Sequence, residues 1–160
     1  MVPFESLRRV AVDKVNLDHL EQNCDSLGRH LFIEMYECLS DQLNDLDWVK
    51  SVLIEAAKRA QATIVDIAFH RVKPTGILGV IVIAESHITI NTWPEYRYAA
   101  VDIFTCGKTL KGSEAASYIV KKFRSANPSV KEVLRGLYPP GAAHHATPVP
   151  AAARTGGSLR

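Results

Sequence analysis

The chain has 160 residues, 47% of them hydrophobic and 22% charged, with 19 basic side chains against 17 acidic ones and a formal net charge of +2. That is the composition of one ordinary globular domain with a sizeable core, and so even a charge balance gives no ground for a nucleic acid or an anionic membrane as partner. Three cysteines without a Cys-x-x-Cys pair, and no apolar run of membrane-spanning length, point to a soluble protein of a reducing cytoplasm.

Residues 1–26 read as an N-terminal extension with weak helical spacing at Phe4, Leu7, Val10 and Ala11. Arg8, Arg9, Asp13 and Lys14 interrupt any signal-peptide core there. From Arg29 to Glu37, Leu31, Ile33 and Met35 alternate with Phe32, Glu34 and Tyr36, the pattern of a strand. Asp41 to Asp45 supply turn and cap residues. From Trp48 the positions Val49, Val52, Leu53, Ala56, Ala57 and Ala60 recur at helical spacing.

Thr63 to Val72 is the next predicted strand, with Val65, Ile67 and Phe69 on one face and Ile64, Ala68 and His70 on the other. Pro74-Thr75-Gly76 turns the chain. An apolar run from Val80 to Ala84 stops at Glu85-Ser86-His87, and alternation resumes through Ile88, Ile90 and Thr92 until Trp93-Pro94 ends it. Tyr98 to Cys106 is a further strand, in which Ala100, Asp102, Phe104 and Cys106 share one parity. A second helix, capped near Ser113, carries Ala116, Ile119, Val120 and Phe123 in one stripe. Val130 to Leu134 is a short closing strand, and the Pro-, Ala- and Gly-rich segment 138–160 is expected to be disordered. Strands outnumber helices, and each helix has a single apolar face. The pattern predicts an α+β domain over residues 27–137, a two-layer α/β sandwich with helices covering one face of a mainly antiparallel sheet.

No histidine cluster has metal-ligand spacing: His30, His70 and His87 read as strand histidines, and the His144-His145 pair as solvated. Taken alone, Ser86 reads as a turn or strand serine and Cys106 as a small buried hydrophobe, because neither has a charge-relay neighbour in the sequence.

A longer pattern changes that reading. Ala84-Glu85-Ser86-His87, Thr92-Trp93-Pro94-Glu95 and Ala99-Ala100-Val101-Asp102-Ile103-Phe104-Thr105-Cys106-Gly107, with Ser26-Leu27-Gly28-Arg29-His30 and Phe69-His70-Arg71 upstream, closely resemble the prokaryotic S-adenosylmethionine decarboxylases. The resemblance implies a two-layer sandwich, a homodimer of cleaved protomers with active sites near the subunit interface, and a pyruvoyl cofactor made from the chain itself. It places cleavage between Glu85 and Ser86. The serine hydroxyl attacks the Glu85 carbonyl, the amide becomes an ester, β-elimination divides the chain, and Ser86 is left as a pyruvoyl cap. That ketone condenses with the amine of a small-molecule substrate and withdraws electrons as the carboxylate leaves, with no external pyridoxal phosphate. Cys106 stands where the family has the acid that returns a proton to the substrate carbon.

Four positions depart from the family pattern. Asn91 replaces the histidine that takes a proton during processing; an amide donates hydrogen bonds but is no general base at neutral pH. Leu78 replaces a serine that assists the same chemistry, Val72 an aromatic that stacks on the adenine, and Arg97 a glycine close to Glu95, the candidate ligand for the ribose hydroxyls. Trp93, Glu95, Val72 and Arg97 are thus the substrate-binding positions. Three functions follow: S-adenosylmethionine decarboxylation in spermidine synthesis, the same chemistry turned to arginine or ornithine, or an uncleaved homologue that binds or regulates a partner.

Overall fold

The computed structural model describes residues 25–39, 41–106 and 110–138. The extension up to Cys24, the tail beyond Tyr138 and His144-His145 lie outside the described residues. Six strands make one sheet in the order β2-β3-β4-β5-β1-β6, every neighbouring pair antiparallel. They are β1 (Asp25–Cys38), β2 (Ile64–Arg71), β3 (Ile77–Ile83), β4 (Ser86–Trp93), β5 (Tyr98–Cys106) and β6 (Ser125–Tyr138). Helices α1 (Leu46–Arg59) and α2 (Gly112–Phe123) pack on the sheet.

Period-two alternation decides which side they cover. Ile33 and Met35, Ile81 and Ile83, Ile88 and Ile90, and Val101 and Ile103 are buried from β1, β3, β4 and β5. They form one core with Val49, Leu53 and Ala56 of α1 and Ala115, Ile119 and Phe123 of α2. Each fully buried isoleucine contributes about 2–3 kcal/mol by removal from water. The opposite parity gives His30, Phe32, Glu34 and Tyr36 from β1, His87, Thr89, Asn91 and Trp93 from β4, and Tyr98, Asp102, Phe104 and Cys106 from β5. Among the described residues no helix lies on this second face.

Caps and turns set the boundaries. Asp45 caps α1 by accepting from the N–H groups of Asp47 and Trp48, both at 3.1 Å, and Lys58 and Arg59 sit at the C-terminal end of its dipole. The second helix has no side-chain cap at Ser113. It begins at Gly112, where a Cβ would lie 2.7 Å from Leu31 Cδ1, so close packing on β1 rather than a cap sets its start. Between β2 and β3 the chain turns through a cis Lys73-Pro74 bond and Gly76, whose φ of +116° suits glycine.

Two strands differ from expectation. A bulge between Ile64 and Asp66 reverses parity in β2, so that Ile64 joins Ile67 and Phe69 toward the core and Val65 is left 65% exposed. The last strand is not the short Val130–Leu134 segment but fourteen residues long, pairing along β1 from Cys38 to Asp25. Its mostly exposed residues and Pro128 gave no alternating pattern, as suits an edge strand. The partner strand β1 starts at Asp25, two residues before the expected domain boundary. Among the described residues, no helix is long and apolar enough to cross a membrane, and no group of three or more His, Cys, Asp or Glu side chains could hold a metal.

Candidate active site

The interruption in the sequence is a hairpin. β3 and β4 pair from Leu78–Asn91 to Ile83–Ser86, so Ala84 and Glu85 alone form the connection. Three hydrogen bonds, two with Thr63 and one with Cys106, tie this turn to its surroundings. Ala84 N–H donates to the Thr63 carbonyl at 2.8 Å, Thr63 N–H donates to the Glu85 carboxylate at 3.2 Å, and Cys106 N–H donates to the Glu85 carbonyl oxygen at 2.8 Å. Ser86 opens β4 with a φ of +150°, a conformation that L-residues avoid.

The side chains beside this bond come from β4 and β5. Ser86 Oγ lies 3.1 Å from His87 Nδ1, and the His87 ring packs 5.7 Å from that of Phe104, its cross-strand partner. Ser86 pairs with Thr105, which places Cys106, exposed at the end of β5, next to the bond. Further along the same face, Thr89 Oγ1 donates to Asp102 at 3.3 Å. His30 Nε2 is 3.2 Å from Asp102 Oδ1, an ion-pair distance whose angle makes no hydrogen bond.

The other sequence-singled residues gather elsewhere. Leu78 and Asn91 are direct cross-strand partners on the open face, with His70 beyond Leu78. Trp93 pairs with Tyr98, and with Tyr36 and Tyr96 they line an aromatic hollow of about 280 Å³. Tyr98 donates to the Glu34 carboxylate; burial and that carboxylate raise the phenol well above the usual tyrosine range. Glu95 accepts from Thr75 Oγ1 at 2.8 Å, and Val72, at the head of the β2–β3 turn, is 47% exposed. Arg97 does not reach toward Glu95. It holds a φ of +51°, and its Nε donates to the Cys38 carbonyl at 3.1 Å while Cys38 N–H donates back to the Arg97 carbonyl at 2.8 Å. The left-handed backbone explains why a glycine suits this position, and the side chain fastens the end of β1.

These two groups stand apart. Ser86 and Trp93 are the first and last residues of an eight-residue strand with no bulge, roughly 23 Å apart at about 3.3 Å per residue. Asn91 lies roughly 16 Å from Ser86 by the same rise, and the two side chains belong to opposite parities. One protomer therefore brings Ser86, His87 and Cys106 together at one end of β4, and Leu78, Asn91, Trp93, Glu95 and Val72 at the other. A surface cavity of about 840 Å³ opens among Arg59, Tyr118, Lys121 and Lys122 on the helical layer and shares no residue with either group.

Sequence reasoning did not reach the Cys106 N–H or the Thr63 N–H, and although His87 stands as a candidate to assist cleavage beside Asn91, the direction of its ring is not legible there. The first two are main-chain donors set by strand register; the signal available was the two-residue hairpin, which fixes that register.

The family model for S-adenosylmethionine decarboxylase matches residues 29–136. The chain is 54% identical over 112 residues to the S-adenosylmethionine decarboxylase proenzyme of Thermodesulfovibrio yellowstonii, covering 70% of this chain and 83% of that one. It is 46% identical over 111 residues to the proenzyme of Pseudomonas aeruginosa, 69% of each chain, and 42% identical over 114 residues to that of Clostridium kluyveri, 71% of this chain and 90% of that one. Among solved structures it is similar to the adenosylmethionine decarboxylase of Aquifex aeolicus, with a TM-score of 0.67, 31% identity, and coverage of 71% of this chain and 94% of that one. The match runs from β1 to β6 and takes in the hairpin turn, Ser86 and Cys106: the chain belongs to the S-adenosylmethionine decarboxylase family.

Proposed function

We propose that this protein is a proenzyme that cleaves itself between Glu85 and Ser86 and then decarboxylates S-adenosylmethionine, producing the aminopropyl donor for spermidine in the cytoplasm. The observation that carries this reading is the 2.8 Å hydrogen bond from Cys106 N–H to the Glu85 carbonyl, at a bond whose serine has a φ of +150°. The donor polarises the carbonyl that Ser86 Oγ must attack, and it is aimed where negative charge develops. Strain of about 1–3 kcal/mol at such a residue is relieved when the amide is broken. The residues present therefore fit the formation of a pyruvoyl group at position 86.

Once formed, that group supplies a carbonyl that condenses with the substrate amine and accepts electrons as carbon dioxide departs. The chain's own residues do the rest. Cys106, exposed beside position 86, delivers the proton to the substrate carbon. Trp93 offers a flat apolar surface and Glu95 two acceptor oxygens for a nucleoside, with Thr75 holding the carboxylate in place.

The separation of these groups, roughly 23 Å along one strand, supports a site completed by two protomers. A homodimer formed across the open sheet face would set Ser86 and Cys106 of one copy against Asn91, Trp93 and Glu95 of a second. Tyr36, Leu78, Val82 and Trp93, exposed on that face with half-buried Phe32 and Phe104 among them, give it an apolar surface worth covering.

Release of carbon dioxide from carboxyl-labelled S-adenosylmethionine, arginine and ornithine tests the substrate. Turnover of S-adenosylmethionine alone, abolished by phenylhydrazine, is the expected result. Turnover confined to the two amino acids would overturn the reading and assign the role of Val72 and Leu78 to them.

A further inference from the structure

Self-cleavage needs a group that takes the Ser86 hydroxyl proton, and this chain has an amide at position 91. We infer that His87 is the base for the first step of processing. This rests on the self-cleavage reading above and deepens it.

The geometry is direct. Ser86 Oγ and His87 Nδ1 are 3.1 Å apart, within reach for proton transfer. With its proton on Nε2, the imidazole accepts from Oγ through Nδ1. Packing against Phe104 at 5.7 Å positions the ring. Asn91 of the same protomer is roughly 16 Å away along β4, and an asparagine brought in by a second copy could donate a hydrogen bond but not remove a proton. Among the described histidines, His70 lies in register with Leu78 at the far end of the sheet, and His30 faces Asp102, so neither touches the serine.

The step balances without a further reactant. His87 Nδ1 takes the proton from Ser86 Oγ, and the oxygen attacks the Glu85 carbonyl carbon, closing a five-membered ring. Charge gathers on the Glu85 oxygen, which Cys106 N–H already holds at 2.8 Å. The C–N bond to Ser86 then breaks, and the proton held by His87 passes to the departing nitrogen. The product is an ester between Glu85 and the Ser86 side chain, with a free amine at residue 86. His87 ends the step neutral. The later β-elimination, which removes the Ser86 Cα proton, is the step left without the family's histidine.

The inference is tested on freshly purified full-length protein by following chain division and ester content over time, with and without hydroxylamine, which cuts esters and spares amides. The wild-type chain is expected to divide, faster with hydroxylamine because ester accumulates. His87→Ala and His87→Gln are expected to form ester about 10²-fold or more slowly, with circular dichroism confirming the fold. The wild-type rate of ester formation is expected to fall on acidification, as a step that needs a free base must, and the His87→Gln rate to lose that dependence. Glu85, Asp102, His30, Cys106 and Arg135, which lies 3.4 Å from His30 Nδ1, are ionisable groups near this end of the sheet, and Glu34, Tyr36, Tyr98 and His70 lie farther along the same face; a pH effect due to any of them would persist in His87→Gln. Variants that form ester at the wild-type rate with an unchanged pH profile would overturn the role of His87 and leave self-cleavage intact. A wild-type chain that forms no ester and never divides would overturn both.

Discussion

The main-chain N–H of Cys106 donates to the carbonyl oxygen of Glu85 across 2.8 Å. In the proposed mechanism this residue contributes twice: its amide to the bond that is to break, and its side chain, exposed at the end of β5, to the decarboxylation that follows. The two contributions separate on mutation. Cys106→Ala keeps the amide, so the chain should still divide before residue 86, while carbon dioxide release should fall about 10²-fold or more with the loss of the proton donor. Gel analysis of division beside a decarboxylation assay measures both; an uncleaved variant would show that the thiol, not only the amide, serves processing.

The backbone of Ser86 makes a different claim. Its φ of +150° costs a side-chain-bearing residue free energy that glycine does not pay. Both Ser86→Ala and Ser86→Gly should remain single chains, and the glycine variant should be the more stable of the two by about 1 kcal/mol. Denaturant unfolding of the pair measures the difference. A glycine variant less stable than the alanine one would mean that no strain is stored at this bond.

Complementation examines the distance between the two ends of β4. Ser86→Ala removes the reactive end and Glu95→Gln weakens the binding end, so each homodimer should be inactive or nearly so. Coexpressed, they should recover roughly a quarter of wild-type activity, because half the dimers are mixed and each mixed dimer has one intact site. Absence of recovery in mixed dimers isolated by differential tags would mean that each protomer holds its own site.

Alkaline pH probes the far end of β1. Burial pushes the Cys38 thiol up from 9.0 to about 11, against a smaller opposing effect of Arg97. The folded chain then keeps a proton that the unfolded chain releases, so this group's contribution to stability is complete below pH 9 and is lost as pH rises toward 11. Tyr36 and Tyr98, also raised, act in the same direction. Unfolding free energy should fall from pH 9 upward, less steeply in Cys38→Ala. A curve equally steep in the variant would assign the loss to the tyrosines.

Much of this was legible in the sequence because alternation reports burial. The inward sets Ile88-Ile90 and Val101-Ile103 fixed the faces of β4 and β5, and the motif around Glu85-Ser86 pointed to the family. What escaped was set by tertiary register or backbone conformation. The bulge beside Val65 shifts parity without changing residue type, and β6 is held by pairing to β1 rather than by apolar content. Arg97 read as a cation beside Glu95, but its left-handed backbone turns the guanidinium onto the Cys38 carbonyl. The opposite parity of Ser86 and Asn91, by contrast, is what an uninterrupted strand dictates, and β4 runs unbroken between them.

The account depends most on the fate of the peptide bond between Glu85 and Ser86, and intact mass spectrometry of the purified full-length chain reads it directly. Two fragments divided before Ser86, the C-terminal one carrying a carbonyl in place of its amine, are the expected result. A single undivided chain after long incubation, unchanged by hydroxylamine, would contradict it.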